Sequence, residues 1–165
     1  MTGIEEEPVE ANPSLSLDAY IPKEYATDSD KIELYQEILM APGIENLSKL
    51  KIKMRDIYGE LPEEVEHLFS KRKIDLLVRD SKIESLNEIN NKVEILLGDM
   101  FIKIKGIGNI LFEALIPYLN FIKVSYANNK FKILMNKRKG WVEDLVNILQ
   151  CLNNIISKNK IKEIS

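Results

Sequence analysis

Two Asn–Asn pairs place the strongest limit on how this chain of 165 residues folds. Asn90-Asn91 lies within KIESLNEINNKVEILL, and Asn128-Asn129 lies within NFIKVSYANNKFKILM. Alternation of apolar and polar residues on either side of each pair is typical of strands. Asparagine also tolerates the positive φ that a tight hairpin turn requires. The sequence therefore predicts two β-hairpins.

Helical spacing governs most of the remaining chain. Apolar residues recur every three to four positions in helices predicted to begin near Asp28, Ile44 and Pro62, and a helix follows each hairpin. The predicted buried positions are Ile32, Leu34, Tyr35, Ile38 and Leu39 in the first helix; Ile44, Leu47, Leu50, Met54 and Ile57 in the second; Val65, Leu68, Phe69, Leu76 and Leu77 in the third; and Val142, Leu145, Val146, Leu149, Leu152 and Ile156 in the last.

The N-terminal part of the chain is predicted to add one short strand. Residues 14–21, SLSLDAYI, alternate apolar and polar, and Pro22 closes the segment. The prediction is an α+β domain: an N-terminal strand and helical segment, then two β-hairpins, each with a following helix. Residues 1–13 are predicted to be a flexible lead-in, 14–158 a single domain and 159–165 a polar tail.

Composition removes several classes of function. No apolar run approaches the roughly 20 residues of a membrane helix, so no membrane contact is predicted. A lone cysteine, Cys151, fits the reducing cytoplasm, where we predict the protein to be located. His67 is the only histidine, and no CxxC or HExxH pair is present. Gly106 and Gly108 are followed by Leu111 where a dinucleotide fingerprint needs glycine. We predict no catalytic residue, no metal and no cofactor.

A basic cluster in residues 132–139 offers one possible binding function. Cations beside aromatic residues, here Phe131 and Trp141, can bind single-stranded nucleic acid, although such cations are more often a solvated strand end. The alternative function is therefore a nucleic-acid-binding accessory module. The cations of the cluster are Lys132, Lys137, Arg138 and Lys139.

Asp56, in MRDIYGELP, is an acid in the last turn of a helix that Gly59 is predicted to end. An acid there costs about 0.3–1 kcal/mol against the helix dipole. At about 100° per residue, Asp56 shares an exposed face with Lys49 and Lys53, opposite Met54. Two interpretations follow: a solvated acid paired with Lys53 at i−3, or an acid kept for a cation outside the domain.

A family resemblance starts from these residues. AYIPKEYATDSDKIELYQEI, a second helix, and RDIYGELPEEVEHLF together resemble the C-terminal domain of the bacterial transcription-repair coupling factor, often called Mfd. The resemblance is strongest over residues 14–80, and the remaining chain agrees in length and element order. The matching residues are Ile21, Pro22, Tyr25, Asp28, Ile32, Tyr35, Asp56, Gly59, Leu61 and Pro62.

The resemblance implies a regulatory fragment of a larger machine. The parent protein of the family is an ATP-driven DNA translocase that displaces stalled RNA polymerase and recruits the excision-repair protein UvrA. Its C-terminal domain packs on the parent's own N-terminal UvrB-like module, hides the UvrA-binding surface and restrains the motor. The implied partners are that module directly and UvrA and RNA polymerase indirectly, with DNA contacted only through the parent motor.

The resemblance also assigns a site. In the family, acids at the end of the helix before the glycine pair with arginines of the N-terminal module. Asp56 matches one such acid, whereas Lys53 stands where the family usually has glutamate, and Ile57 and Tyr58 replace an arginine and a phenylalanine. The predicted partner-binding residues are Asp56, Lys53, Lys49 and Gly59.

Overall fold

The computed structural model describes residues 15–164, with side chains through residue 159. This part of the chain divides into two compact units: Ser16–Leu76 form unit 1, and residues 77–164 with Leu15 form unit 2. The lead-in predicted at 1–13 lies outside the described residues. The prediction of a single domain over 14–158 stays a prediction.

Unit 1 is helical. Its helices are α1 (Asp28–Met40), α2 (Ile44–Tyr58) and the greater part of α3 (Glu63–Asp80), since the boundary between the units falls within α3. The Thr27 side chain caps α1 by accepting a hydrogen bond from the Asp30 N–H at 3.2 Å. Gly59 ends α2 with φ of 91°, a conformation that glycine adopts without strain.

The buried side chains of α1 and α2 agree with the predictions from helical spacing at all but two positions. Leu34, Ile38, Leu47 and Met54 are buried as predicted. Ile32 is 64% exposed, because it lies across α1 from the buried Leu34–Ile38 row. Ile57 is 60% exposed, because the buried row of α2 continues from Met54 by four residues to the half-buried Tyr58.

The predicted N-terminal strand is wrong, although its alternation is real. Ile21 is buried and Ser16, Asp18 and Tyr20 are exposed, yet residues 15–22 have no strand hydrogen bonding. Helix groups take up the backbone instead: the Tyr20 N–H donates to the Glu64 carbonyl at 3.2 Å, and the Ile21 N–H donates to the Tyr35 hydroxyl at 2.8 Å. The segment alternates because it lies along helices, which bury one side of it.

Unit 2 confirms both hairpins and, with unit 1, the α+β class. Its four strands form one antiparallel sheet in the order β1-β2-β4-β3. Asn90, Asn128 and Asn129 hold positive φ at the two turns, as the sequence predicts. The elements are β1 (Ile83–Ile89), β2 (Lys92–Leu97), α4 (Asp99–Ile102), α5 (Ile107–Leu115), a 3-10 turn (Ile116–Tyr118), β3 (Ile122–Ala127), β4 (Lys130–Asn136) and α6 (Trp141–Ile164).

One face of this sheet is the core of unit 2. Ile95 on β2 pairs with Leu86 on β1 and with Ile133 on β4, and all three side chains are at most 1% exposed. Helix α6 buries Leu145, Leu149, Leu152 and Ile156 as predicted and continues to Ile164, through the segment predicted as a polar tail. Among the helices of residues 15–164, none combines the length and apolarity that crossing a membrane requires.

Candidate functional site

The exposed face of α2 lies where the spacing places it. Lys49, Lys53 and Asp56 are all exposed, whereas Met54 on the opposite side is 0% exposed. The structure therefore brings three of the four predicted site residues onto one face, with Gly59 directly after the helix.

Asp56 has no partner in the part of the chain whose side chains are described, residues 15–159. Its carboxylate accepts no hydrogen bond and forms no ion pair there. Arg55 lies in the same turn but about 100° around the helix, where it acts electrostatically on Tyr25. The negative end of the α2 dipole and the carboxylate thus present negative charge together at one exposed place.

The predicted pairing of Asp56 with Lys53 is wrong. The Lys53 Nζ lies 3.7 Å from a carboxylate oxygen of Glu37 on α1, so Lys53 is tied to the neighbouring helix. Lys51, on another side of α2, is likewise 2.6 Å from the Glu66 carboxylate. Without Lys53, the Asp56 carboxylate faces solvent alone. Its role as an acid kept for a cation outside the domain stays a prediction.

Gly59 leaves the end of α2 open. Its N–H donates to the Arg55 carbonyl at 2.9 Å, and a Cβ added at this glycine would meet no atom within 4 Å. Glu60 follows as a second exposed acid without a partner among the described side chains. Gly59 and Glu60 are therefore both exposed directly after the helix.

The last turn of α2 is nevertheless fixed in place. The Tyr58 hydroxyl donates to a carboxylate oxygen of Asp30 at the start of α1 at 3.2 Å, and its ring lies 5.3 Å from that of Tyr25. Burial, followed by the Asp30 hydrogen bond, raises the pKa of Tyr58. Asp56 is thus presented from a helix end anchored two residues later.

Sequence reasoning missed three residues beside this site. Ile52 is 57% exposed and lies four residues before Asp56, so the helical period alone could have found it. Ile57, predicted buried, is a second exposed apolar residue. Glu37 had no sequence signal, because its approach to Lys53 depends on how α1 packs against α2.

Internal carboxylates pair most of the basic cluster 132–139. Lys132 is 3.3 Å from Glu94, and Lys137 is hydrogen-bonded to Glu88 with both side chains at most 14% exposed. Lys137 also lies 4.5 Å from the centre of the Trp141 ring. These contacts use the charges that would bind a phosphate backbone.

The arginine of the cluster is also occupied. Arg138 donates two hydrogen bonds to Asp144, at 2.9 and 3.3 Å, and stacks 3.9 Å from the centre of the Phe121 ring. Lys139 is the one cation of the cluster without a partner among residues 15–159. One free lysine is a weak electrostatic footprint for nucleic acid.

The residues considered for catalysis have structural surroundings. His67 Nδ1 lies 2.8 Å from the Asp18 carbonyl, which ties the segment before α1 to α3. The Cys151 thiol lies 3.8 Å from the Tyr118 hydroxyl on the inner side of unit 2. Within the described residues, no group of three or more His, Cys, Asp or Glu side chains is placed to hold a metal ion.

Comparison with known sequences finds coupling factors. The chain is 29% identical over 157 residues to the transcription-repair-coupling factor of Staphylococcus aureus strain USA300, an alignment covering 90% of this chain and 13% of that protein. The Staphylococcus epidermidis protein is 28% identical over 154 residues, covering 91% and 13%. The chain thus spans about 13% of the length of these curated relatives.

Comparison with solved structures finds the same architecture. The crystal structure of the C-terminal domain of a transcription-repair coupling factor superposes with a TM-score of 0.73 at 20% identity, covering 87% of this chain and 92% of that one. A family model, the TRCF domain, matches residues 15–103, which hold the whole of unit 1, the first hairpin and α4. The chain belongs to the TRCF domain family.

Proposed function

We propose that this domain is a non-catalytic, autoinhibitory interaction domain of its coupling factor. It packs through the end of α2 on the N-terminal UvrB-like module of the same protein, masks the UvrA-binding surface there and restrains the DNA translocase. UvrA and RNA polymerase are indirect partners, and DNA is contacted through the motor. The observation that carries the proposal is the exposed, unpartnered Asp56 carboxylate at an anchored helix end.

The energetics of this helix end favour an outside cation. An acid in the last turn opposes the helix dipole by about 0.3–1 kcal/mol, and no described side chain compensates Asp56. A guanidinium group placed against the carboxylate would relieve that repulsion and form a charge-assisted hydrogen bond. A cationic partner therefore stabilises Asp56 more than it would stabilise a carboxylate that does not oppose a helix dipole.

A contact of this kind suits a reversible latch. Interfaces within one chain are small and polar, and tethering raises the effective concentration of the two surfaces, so a weak contact suffices to hold a closed state. A partner that favours the open state can then shift the population without a large opposing energy. Engagement with stalled polymerase would supply that shift and expose the UvrA-binding surface.

Charge reversal at Asp56 tests the proposal. We expect Asp56→Lys to weaken binding of this domain to the isolated N-terminal module by about 1–3 kcal/mol, or roughly 5- to 150-fold, in a calorimetric titration. Glu113→Lys is the matched control: it also reverses an exposed acid two residues before the end of a helix, α5, but in unit 2. This control should bind like wild type.

Equal affinities of wild type and Asp56→Lys would remove Asp56 from the interface. A second measurement addresses masking itself: deleting this domain from the full-length coupling factor should speed UvrA recruitment and raise ATPase activity. Unchanged recruitment and unchanged ATPase activity would contradict autoinhibition.

A further inference from the structure

We propose that Glu37 is a positioning residue for this interaction: by holding Lys53, it keeps Asp56 open to the partner's cation, and the apolar stem of that cation lies on Ile52. The inference rests on the proposed function and adds Glu37 and Ile52 to its site. It concerns α1 and α2 of unit 1.

Lys53 is placed to close the site from within. It lies three residues before Asp56, about 60° around the helix, where oppositely charged side chains form ion pairs. A lysine paired with Asp56 would neutralise the carboxylate and compete with a cation from outside. In the structure the Lys53 Nζ lies 3.7 Å from Glu37 instead, and the carboxylate of Asp56 stays free among the described side chains.

Glu37 can hold Lys53 because of its place on α1. Glu37 lies about 140° around α1 from the exposed Ile32, on the side of α1 that approaches α2. Its side chain is 45% exposed and that of Lys53 is 57% exposed, so both are free to rearrange. The pair is therefore a small switch at the edge of the site: with Glu37 neutral, Lys53 gains more from Asp56.

Ile52 offers the apolar stem of the partner's cation a surface to pack on. It is 57% exposed and lies four residues before Asp56, on the adjacent turn of the same exposed face. An arginine stem packs on apolar surface while its planar guanidinium meets a carboxylate with two hydrogen bonds. Lysine has a compact, strongly hydrated ammonium group, which cannot form the two parallel hydrogen bonds that a guanidinium forms with a carboxylate.

Titrations with the isolated N-terminal UvrB-like module test the positioning role. We expect Glu37→Gln to weaken binding about two- to fivefold, the range of one exposed ion pair. Adding Lys53→Met to Glu37→Gln should restore wild-type affinity, because the competing cation is gone. In an Asp56→Asn background, Glu37→Gln should change nothing, because no carboxylate remains for Lys53 to occupy.

The apolar contact has its own matched pair of variants. Ile52→Ser should weaken binding several-fold, whereas Ile32→Ser should leave it unchanged, since Ile32 is equally exposed at 64% but lies on the side of α1 away from α2. Circular dichroism spectra that match wild type would show that both variants are folded. Equal losses of affinity for the two variants would overturn the role of Ile52.

The outcomes separate this inference from the function on which it rests. If Asp56→Lys weakens binding but Glu37→Gln does not, the interaction stands and the positioning role is wrong. If Glu37→Gln weakens binding and Lys53→Met fails to restore it, Glu37 contacts the partner itself and the inference is likewise overturned. If Asp56→Lys binds like wild type, the proposed function fails first.

Discussion

Charge is used in opposite ways at the two surfaces that the sequence singles out. In unit 2, the cluster of residues 132–139 has its own carboxylates for Lys132, Lys137 and Arg138. In unit 1, Asp56 is an exposed acid without a partner among the described side chains. Residues 132–139 contain more charges, but internal ion pairs occupy most of them. Asp56 has no such pair among the described residues, so it is the better candidate for binding a partner.

The ion pairs of the two regions also differ in how deeply they are buried. The Lys137 and Glu88 side chains are 12% and 14% exposed, whereas Lys53 and Glu37 are 57% and 45% exposed. A buried pair holds its partners because each would be costly to leave alone, while an exposed pair contributes little and exchanges partners easily. Unit 2 therefore uses charge for structure, and the α1–α2 edge of unit 1 keeps it adjustable.

The largest effect we expect comes from breaking the buried pair. Lys137→Met should reduce the free energy of unfolding by about 1.5–3 kcal/mol, because it removes a charge-assisted hydrogen bond to the Glu88 carboxylate in a place with little solvent. Urea unfolding followed by the fluorescence of Trp141, the only tryptophan, reports on unit 2 directly.

Lys132→Met is the control for that measurement. Its pair with Glu94 is more exposed, at 45% and 25%, so we expect a loss of at most about 1 kcal/mol. Equal losses for the two variants would contradict the distinction between structural and adjustable charge within this cluster.

Local sequence signals predicted most of the elements of this fold. Alternating residues around Asn90-Asn91 and Asn128-Asn129 predicted both hairpins, and Asn90, Asn128 and Asn129 adopt the positive φ that such turns require. Gly59 likewise predicted the end of α2, and Pro62 predicted the start of α3. The N-terminal strand failed because alternation reports burial on one side, and it does not say whether a strand or a helix covers that side.

Only those features of the site that lie within α2 could be predicted from the sequence. The shared face of Lys49, Lys53 and Asp56 follows from the helical period. Whether Lys53 pairs with Asp56 depends on Glu37, which is brought close by the packing of α1 on α2. Pairing of the basic cluster likewise depends on sheet register, since Lys132 and Glu94 lie on neighbouring strands.

A smaller effect tests whether Asp56 opposes the stability of its own helix. Asp56→Asn should raise the free energy of unfolding by about 0.3–1 kcal/mol, because it removes an uncompensated acid from the last turn of α2. Glu113→Gln makes the same change in the last turn of α5, but the helical backbone there continues into the 3-10 turn, so we expect a smaller gain. Thermal unfolding followed by far-ultraviolet circular dichroism measures both.

Only one of these two variants should affect the partner. Asp56→Asn is expected to gain stability and lose affinity for the N-terminal module, whereas Glu113→Gln gains stability alone. Opposite signs of the two effects at Asp56 are what a residue retained for binding shows. A loss of stability in Asp56→Asn would mean that the carboxylate has a stabilising role inside the domain.

The smallest effect concerns pH and an acid that, unlike Asp56, has an internal partner. Lys130 donates to Glu84 and, at 2.9 Å, to Asp99. These contacts, led by the hydrogen bond to Lys130, lower the pKa of Asp99, and hydrogen bonds to Glu84 and Asp99 raise the pKa of Lys130. The stabilisation from Asp99 is then present above its unfolded pKa of about 4 and is lost as pH falls through the lower folded pKa.

Removing Lys130 should therefore make the free energy of unfolding depend less on pH in the acid range. We expect the difference in free energy of unfolding between wild type and Lys130→Met to be larger at pH 7 than at about pH 3, in urea titrations at both values. Lys123→Met, which removes an exposed lysine of the same hairpin, should leave the profile parallel to wild type. A difference for Lys130→Met that stays constant with pH would show that its ammonium group does not act through Asp99. A pH-dependent difference would instead mean that Lys130 stabilises its paired acids, Asp99 and Glu84, from within unit 2, as no described residue does for Asp56.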